Sequence, residues 1–256
     1  MNNIYHYRVE KDDGLYLHIQ VRHPSNNIQN CNVIFVHGFL GDGIENHRMF
    51  IKIADALNEV GYTCILFDQT GCGYSDGDYR DVRLETLKKD LAELIKWVKY
   101  SYVGDIAFVG QSLGSALVIA TVNELNVSFK IAINPAAHFD KWLLKRYNWD
   151  LTSHNDFFCA IPKGIFVSRK FIIDLIKWKW TEKMCDNDTS ILFVVSTNDG
   201  IGSYEVAKQL LGEFGDKANL IAIYNAEHSF TNQPQLENYA VNSIVKWIST
   251  KGHGEV

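Results

Sequence analysis

Six short runs of almost wholly apolar residues, at 33–36, 64–67, 106–109, 131–133, 191–195 and 220–224, constrain this chain most. A strand with one face in water alternates apolar and polar residues, so a continuous apolar run of strand length implies burial on both faces. Helical patterns separate most of the runs. Met49, Phe50, Ile53, Ala54 and Leu57 follow the first, and Leu84, Leu87, Leu91, Leu94, Ile95 and Val98 follow the second, each set marking one face of a helix. Further helices are expected at 113–125, 203–215 and 235–250. Strands alternating with helices predict an α/β fold, a mostly parallel sheet covered on both sides. The start differs. Leu15, Leu17, Ile19 and Val21 alternate as in a half-buried strand, Asp13-Gly14 supplies a hairpin turn, and residues 4–9 provide the partner. The expected sheet has about eight strands, two antiparallel at the start and about six parallel.

One stretch breaks the rhythm. Residues 135–189 contain no clear core strand, yet hold four of the six tryptophans, Trp142, Trp149, Trp178 and Trp180. Loops longer than about 12–15 residues are usually functional or structured in their own right. The expected organisation is a single domain, with a core from 1–137 and 190–256 and an inserted cap over 138–189.

The net charge of −5 argues against a nucleic-acid partner, which calls for a basic excess. No apolar run approaches the roughly 18–20 residues that span a bilayer, and the first residues lack the basic-then-apolar pattern of a secretory signal. The five cysteines are an odd number without CxxC spacing, so neither a disulfide framework nor a metal site is expected, and a cytoplasmic setting is.

The chemistry concentrates at Gly110-Gln111-Ser112-Leu113-Gly114. This is G-x-S-x-G placed directly after a strand and before a helix, where a sharp turn presents the serine hydroxyl at the carboxyl end of the sheet. A serine nucleophile needs a base, and the base needs an orienting acid. Asp199 and His228 each sit just beyond one of the last two strand runs, in the chain order serine, acid, base. Asp140, after the preceding strand, is the alternative acid. His37-Gly38-Phe39 ends the first parallel strand; the N–H groups of Phe39 and Leu113 are candidate oxyanion donors, and His37, Gly38 and Gln111 are candidate substrate-positioning residues.

These residues resemble the α/β-hydrolase superfamily over nearly the whole chain. Asp68-Gln69-Thr70-Gly71-Cys72-Gly73-Tyr74-Ser75-Asp76-Gly77 is similar to that family's D-x-x-G-x-G-x-S-x-G segment after the second parallel strand. It is not a dinucleotide fingerprint, because position 76 is Asp and no acidic ribose partner follows. With the His-Gly-Phe turn and the cap position, the chain is most similar to the cinnamoyl- and feruloyl-esterase-like branch and to acyl-thioesterases.

The resemblance implies an α/β-hydrolase fold and hydrolysis of a carboxylic ester or thioester through an acyl-enzyme on Ser112, with no metal or organic cofactor. The same site could serve an acyltransferase, or persist in a non-catalytic small-molecule binding protein. Peptide hydrolysis is less favoured. The apolar residues of the cap, including Trp142, Phe158 and Phe171, favour an apolar or aromatic acyl group over a highly charged one. Cap cations such as Arg146 and Lys163 are nearly balanced by cap acids, so a solvated surface is expected there, rather than a dock for an acidic acyl carrier.

Overall fold

The computed structural model describes residues 3–26, 28–121, 127–182, 189–230 and 233–251. The chain opens with β1 (Asn3–Glu10) and β2 (Tyr16–His23). It continues through β3 (Cys31–Val36), α1 (Met49–Glu59), β4 (Thr63–Phe67), α2 (Leu84–Ser101), β5 (Asp105–Gln111), α3 (Leu113–Thr121) and β6 (Val127–Ile133). Next come α4 (Phe139–Tyr147), β7 (Phe157–Ala160), β8 (Ile165–Ser168) and α5 (Arg169–Lys177). The last elements are β9 (Ser190–Ser196), α6 (Ser203–Phe214), β10 (Ala218–Ile223) and α7 (Pro234–Lys251). The end of the helix expected over 113–125 falls at residues 122–125, outside those described.

Eight strands form one sheet in the order β1-β2-β4-β3-β5-β6-β9-β10. β2 is antiparallel to both its neighbours, and all pairings from β4 to β10 are parallel. This is the expected arrangement of two antiparallel opening strands and six parallel ones. The apolar runs are uniform because both faces are covered. In β3, Ile34 and Val36 join a core with α2, α3 and α6, while Val33 and Phe35 join a second core with α1 and α7.

The strand order reverses at β3. The chain leaves β3 for β4 on one side, and β5 then lies on the other. Such a switch point leaves a crevice beyond the carboxyl ends of the strands. Two glycines set the backbone around it. A Cβ at Gly114 would lie 1.9 Å from the Val36 carbonyl oxygen, so only glycine lets α3 pack against the end of β3. Gly73, at φ 52°, would place a Cβ 2.2 Å from Asp68 Cγ. That close approach lets Asp68 gather the loops behind the crevice, accepting from the N–H groups of Gly43 (2.7 Å) and Tyr74 (2.9 Å) and from His18 Nδ1 (3.0 Å).

Between β6 and β9 the chain builds α4, an antiparallel β7–β8 hairpin and α5. These elements lie outside the main sheet, but their core is continuous with it: Phe158, Phe171, Ile172, Trp178 and Trp180 pack in the same cluster as Leu87 and Leu117. The Trp180 indole N–H donates to the Ala136 carbonyl (2.9 Å), tying the far end of the segment to the strand end it leaves.

Candidate active site

Ser112 lies between β5 and α3 with φ 54°, a left-handed conformation that costs a residue with a side chain free energy and is held only by its surroundings. Those surroundings are explicit. The Ser112 N–H donates to the Ile133 carbonyl (2.9 Å), and its carbonyl accepts from the N–H groups of Ala116 (3.2 Å) and Ala136 (3.3 Å). The strained turn is thus bonded to the neighbouring strand end and to its own helix.

Three sequence candidates meet here. Ser112 Oγ lies 2.8 Å from His228 Nε2, and His228 Nδ1 lies 3.3 Å from Asp199 Oδ2. Asp199 follows β9 at the N-terminus of α6. Its carboxylate accepts from the N–H groups of Ile201 (3.1 Å), Gly202 (3.2 Å) and Ser203 (3.3 Å). Burial pushes this carboxyl up, but hydrogen bonds from His228, Ser203 and Ile201 and the imidazole charge outweigh it and hold the group below the usual carboxylate range. An ionised Asp199 accepts a hydrogen bond from His228 Nδ1–H, which leaves Nε2 to accept from the Ser112 hydroxyl. The side chain of Asp140, the alternative acid, lies outside the described residues.

Sequence reading missed the groups that hold His228. Asn134, fully buried and following β6, donates through Nδ2 to the His228 carbonyl (2.7 Å) and to Ser196 Oγ (3.0 Å). Ser196 N–H donates to Asn134 Oδ1 (2.6 Å), and Ser196 Oγ donates to the Glu227 carbonyl (3.0 Å). The loop carrying His228 is therefore clamped to the ends of β6 and β9. Gln111 reaches the same carbonyl through Nε2 (3.4 Å), and its buried Oε1 has no partner among the described residues. An asparagine closing an apolar strand run was the one available signal, and on its own it reads as a turn residue.

The turn after β3 completes the floor. A Cβ at Gly38 would lie 3.1 Å from Ser112 Cβ, so the turn passes directly beside the serine. Gly38 N–H is already taken, donating to Glu45 Oε1 (2.5 Å), whereas the N–H groups of Phe39 and Leu113 have no partner among the described residues. His37 does not border the crevice. It is fully buried, with Nε2 accepting from the Gln69 N–H (3.0 Å), so that Nδ1 carries the proton and donates to the Gly38 carbonyl (2.9 Å). Its placement is that of a prop behind the turn.

The crevice is a cavity of about 190 Å³ bordered by Ser112, His228, Gly38, Phe39 and Gln111 from the sheet side. Trp142, Arg146, Tyr147 and Lys163 border it from the segment between β6 and β9. The Trp142 ring centroid is 5.9 Å from that of His228. Among the described residues no group of three or more His, Cys, Asp or Glu side chains is arranged to hold a metal ion, and no helix is long and apolar enough to cross a membrane.

Comparison with known proteins gives a consistent picture. A family model described as alpha/beta hydrolase fold matches residues 32–125. A proline iminopeptidase of Saccharolobus solfataricus is 37% identical over 92 residues, which are 36% of this chain and 28% of the peptidase. An uncharacterized 31.7 kDa protein of Escherichia coli is 32% identical over 111 residues, 42% of this chain and 37% of that protein. The matches thus span about a third of those curated relatives. Among solved structures, Est1E from Butyrivibrio proteoclasticus with ferulic acid bound superposes with a TM-score of 0.78 at 20% identity, over 95% of this chain and 99% of Est1E. The esterase domain of a Rhodothermus marinus protein gives 0.71 at 18% identity, over 96% and 97% of the two chains.

Proposed function

We propose that this chain, which has the α/β-hydrolase fold, is a serine hydrolase of carboxylic esters or thioesters. The observation that carries the reading is the hydrogen-bonded line from Ser112 through His228 to Asp199, with the serine held at positive φ at the mouth of the crevice.

In this reading Ser112 Oγ attacks the acyl carbonyl carbon as His228 Nε2 takes the hydroxyl proton. Asp199 keeps the imidazole in the productive tautomer and stabilises the imidazolium. The carbonyl oxygen becomes an oxyanion and accepts from the N–H groups of Phe39 and Leu113. Each such preorganised donor is typically worth about 2.7–4 kcal/mol in the transition state. Collapse expels the alcohol or thiol, which leaves with the proton from His228. Water then attacks the acyl-enzyme with His228 again as base, releasing the acid and restoring Ser112.

Residues 138–189 serve as a cap. Phe39, Trp142 and Tyr147 would supply apolar walls for the acyl or aryl group of a small-molecule substrate. Est1E, a protein of the same fold, binds ferulic acid, which supports an aromatic acyl group as one candidate to screen. The experiment is a screen of 4-nitrophenyl esters and acyl thioesters with wild type and Ser112→Ala. Turnover should fall by several orders of magnitude in the variant with its melting temperature unchanged. Equal turnover in both proteins would refute the mechanism. Covalent labelling of Ser112 by a fluorophosphonate without turnover of any ester would favour a binding protein, and transfer to an added alcohol in preference to water would favour an acyltransferase.

A further inference from the structure

The charged lining of the cavity is unequal. Arg146 lies in the last turn of α4 and Lys163 in the turn between β7 and β8, and both border the cavity that holds Ser112. Among the described residues neither forms an ion pair, and the Lys163 ammonium donates to the Leu40 carbonyl (2.5 Å), beside the oxyanion turn. Glu45 is the acid of the lining, and its two oxygens are committed, Oε1 accepting from the Gly38 N–H (2.5 Å) and Oε2 from the Asn46 N–H (3.1 Å). Some charges elsewhere in the same segment are locally satisfied. Asp150 accepts from Thr152 N–H (2.8 Å) and Oγ1 (2.7 Å), and Lys179 pairs with Glu182 (3.1 Å). In a chain of net charge −5, two exposed cations with no carboxylate partner among the described residues therefore border one cavity.

The placement of Arg146 is set by a helix. Trp142 and Arg146 are four residues apart on α4, so their side chains lie on one face, with Cβ atoms about 5–6 Å apart. The Trp142 ring lies beside His228, and Arg146, one turn along α4 from Trp142, borders the same cavity. From this we infer that the site takes an acyl ester or thioester bearing a carboxylate or phosphate a few bonds from the scissile carbonyl, with Arg146 as its principal anchor and Lys163 as a second cation. The inference rests on the serine-hydrolase reading. It also refines the sequence expectation of an apolar acyl group by adding one anionic terminus to an apolar stem.

The test compares two esters of matched length, 4-nitrophenyl hemiglutarate and 4-nitrophenyl pentanoate. Wild type should favour the anionic ester in kcat/KM by about 10-fold or more, a preference that falls with added salt. In Arg146→Gln the ratio should drop toward one, chiefly through KM, and Arg146→Lys should restore part of it. A second pair, butyryl-coenzyme A and butyryl-N-acetylcysteamine, places the anion on the leaving group, so the pair that shows the preference identifies which side of the substrate carries the charge. A ratio at or below one for both pairs in wild type, or a preference that survives in Arg146→Gln, overturns the inference while leaving the hydrolase reading intact. If neither member of a pair is turned over, calorimetric binding of glutarate against 1,5-pentanediol still decides. Tighter glutarate binding that is lost in Arg146→Gln supports the anionic site, and equal binding overturns it.

Discussion

Around the line of Ser112, His228 and Asp199 on the floor of the cavity, the supporting side chains bond backbone groups. Asp199 holds three N–H groups, Asn134 holds the carbonyl of His228, and Glu45 holds Gly38 and Asn46. On the roof, Trp142, Arg146 and Tyr147 project from one short helix, and the segment that carries them is tied down mainly by apolar packing and a few anchors such as Trp180 to Ala136. The contrast has a physical meaning. Backbone hydrogen bonds fix an atom's position within tenths of an ångström, as proton transfer requires, whereas side chains on a helix face set shape and charge, as substrate choice requires. A roof can therefore change its preference without disturbing the chemistry below it.

The comparison breaks most visibly if a floor residue proves dispensable. Asp199→Asn should keep the geometry but favour the wrong imidazole tautomer, lowering kcat by about 10³–10⁴-fold, or ~4–5.5 kcal/mol, with little change in KM. Steady-state kinetics on any accepted ester measures this, and a loss under tenfold would remove Asp199 from the mechanism.

The roof should respond in the other parameter. Trp142→Ala should raise KM for aromatic or long acyl esters by about tenfold while affecting acetate esters much less, since truncating a pocket aromatic removes about 1–2 kcal/mol of contact. Equal effects on short and long esters would make the segment a packing layer and place the acyl pocket elsewhere.

The smallest effect concerns how far the floor's bonding extends behind the site. Burial raises the Asp68 carboxyl, but the hydrogen bonds from His18, Tyr74 and Gly43 outweigh it and hold the group below its ordinary value. A carboxyl whose folded value is depressed binds fewer protons folded than unfolded, so its stabilisation is complete above the unfolded value of about 3.9 and is lost as pH falls through the lower folded value. Asp199 acts in the same direction. Thermal melts from pH 6 down to pH 3 should show stability declining with acid, and Asp68→Asn should flatten that decline. An unchanged acid slope in the variant would mean that these loops are not held by the Asp68 charge.

Much of the floor could be read from residues alone. The G-x-S-x-G turn needs a strand before it and a helix after it, and both are written locally in apolar periodicity. Asp199 and His228 announce themselves by standing just past strand runs in a fixed order. The props were hidden, because Asn134 and Glu45 act across 94 and 7 positions of chain, and no local pattern separates them from ordinary turn residues. His37 misled for the same reason: a histidine closing a strand beside a glycine reads as a ligand-facing group, and only packing shows both ring nitrogens committed to backbone.

The sequence by itself determined the order and type of the core elements and the strained turn at Ser112, since these follow from periodicity and local backbone sterics. The tertiary structure alone decided the pairing of the four-residue strands β7 and β8, the burial of most aromatics between β6 and β9 in the common core, and the placement of Arg146 and Lys163 beside the cavity. A helix or hairpin fixes which side chains share a face, but which face meets the cavity depends on long-range packing against the whole sheet.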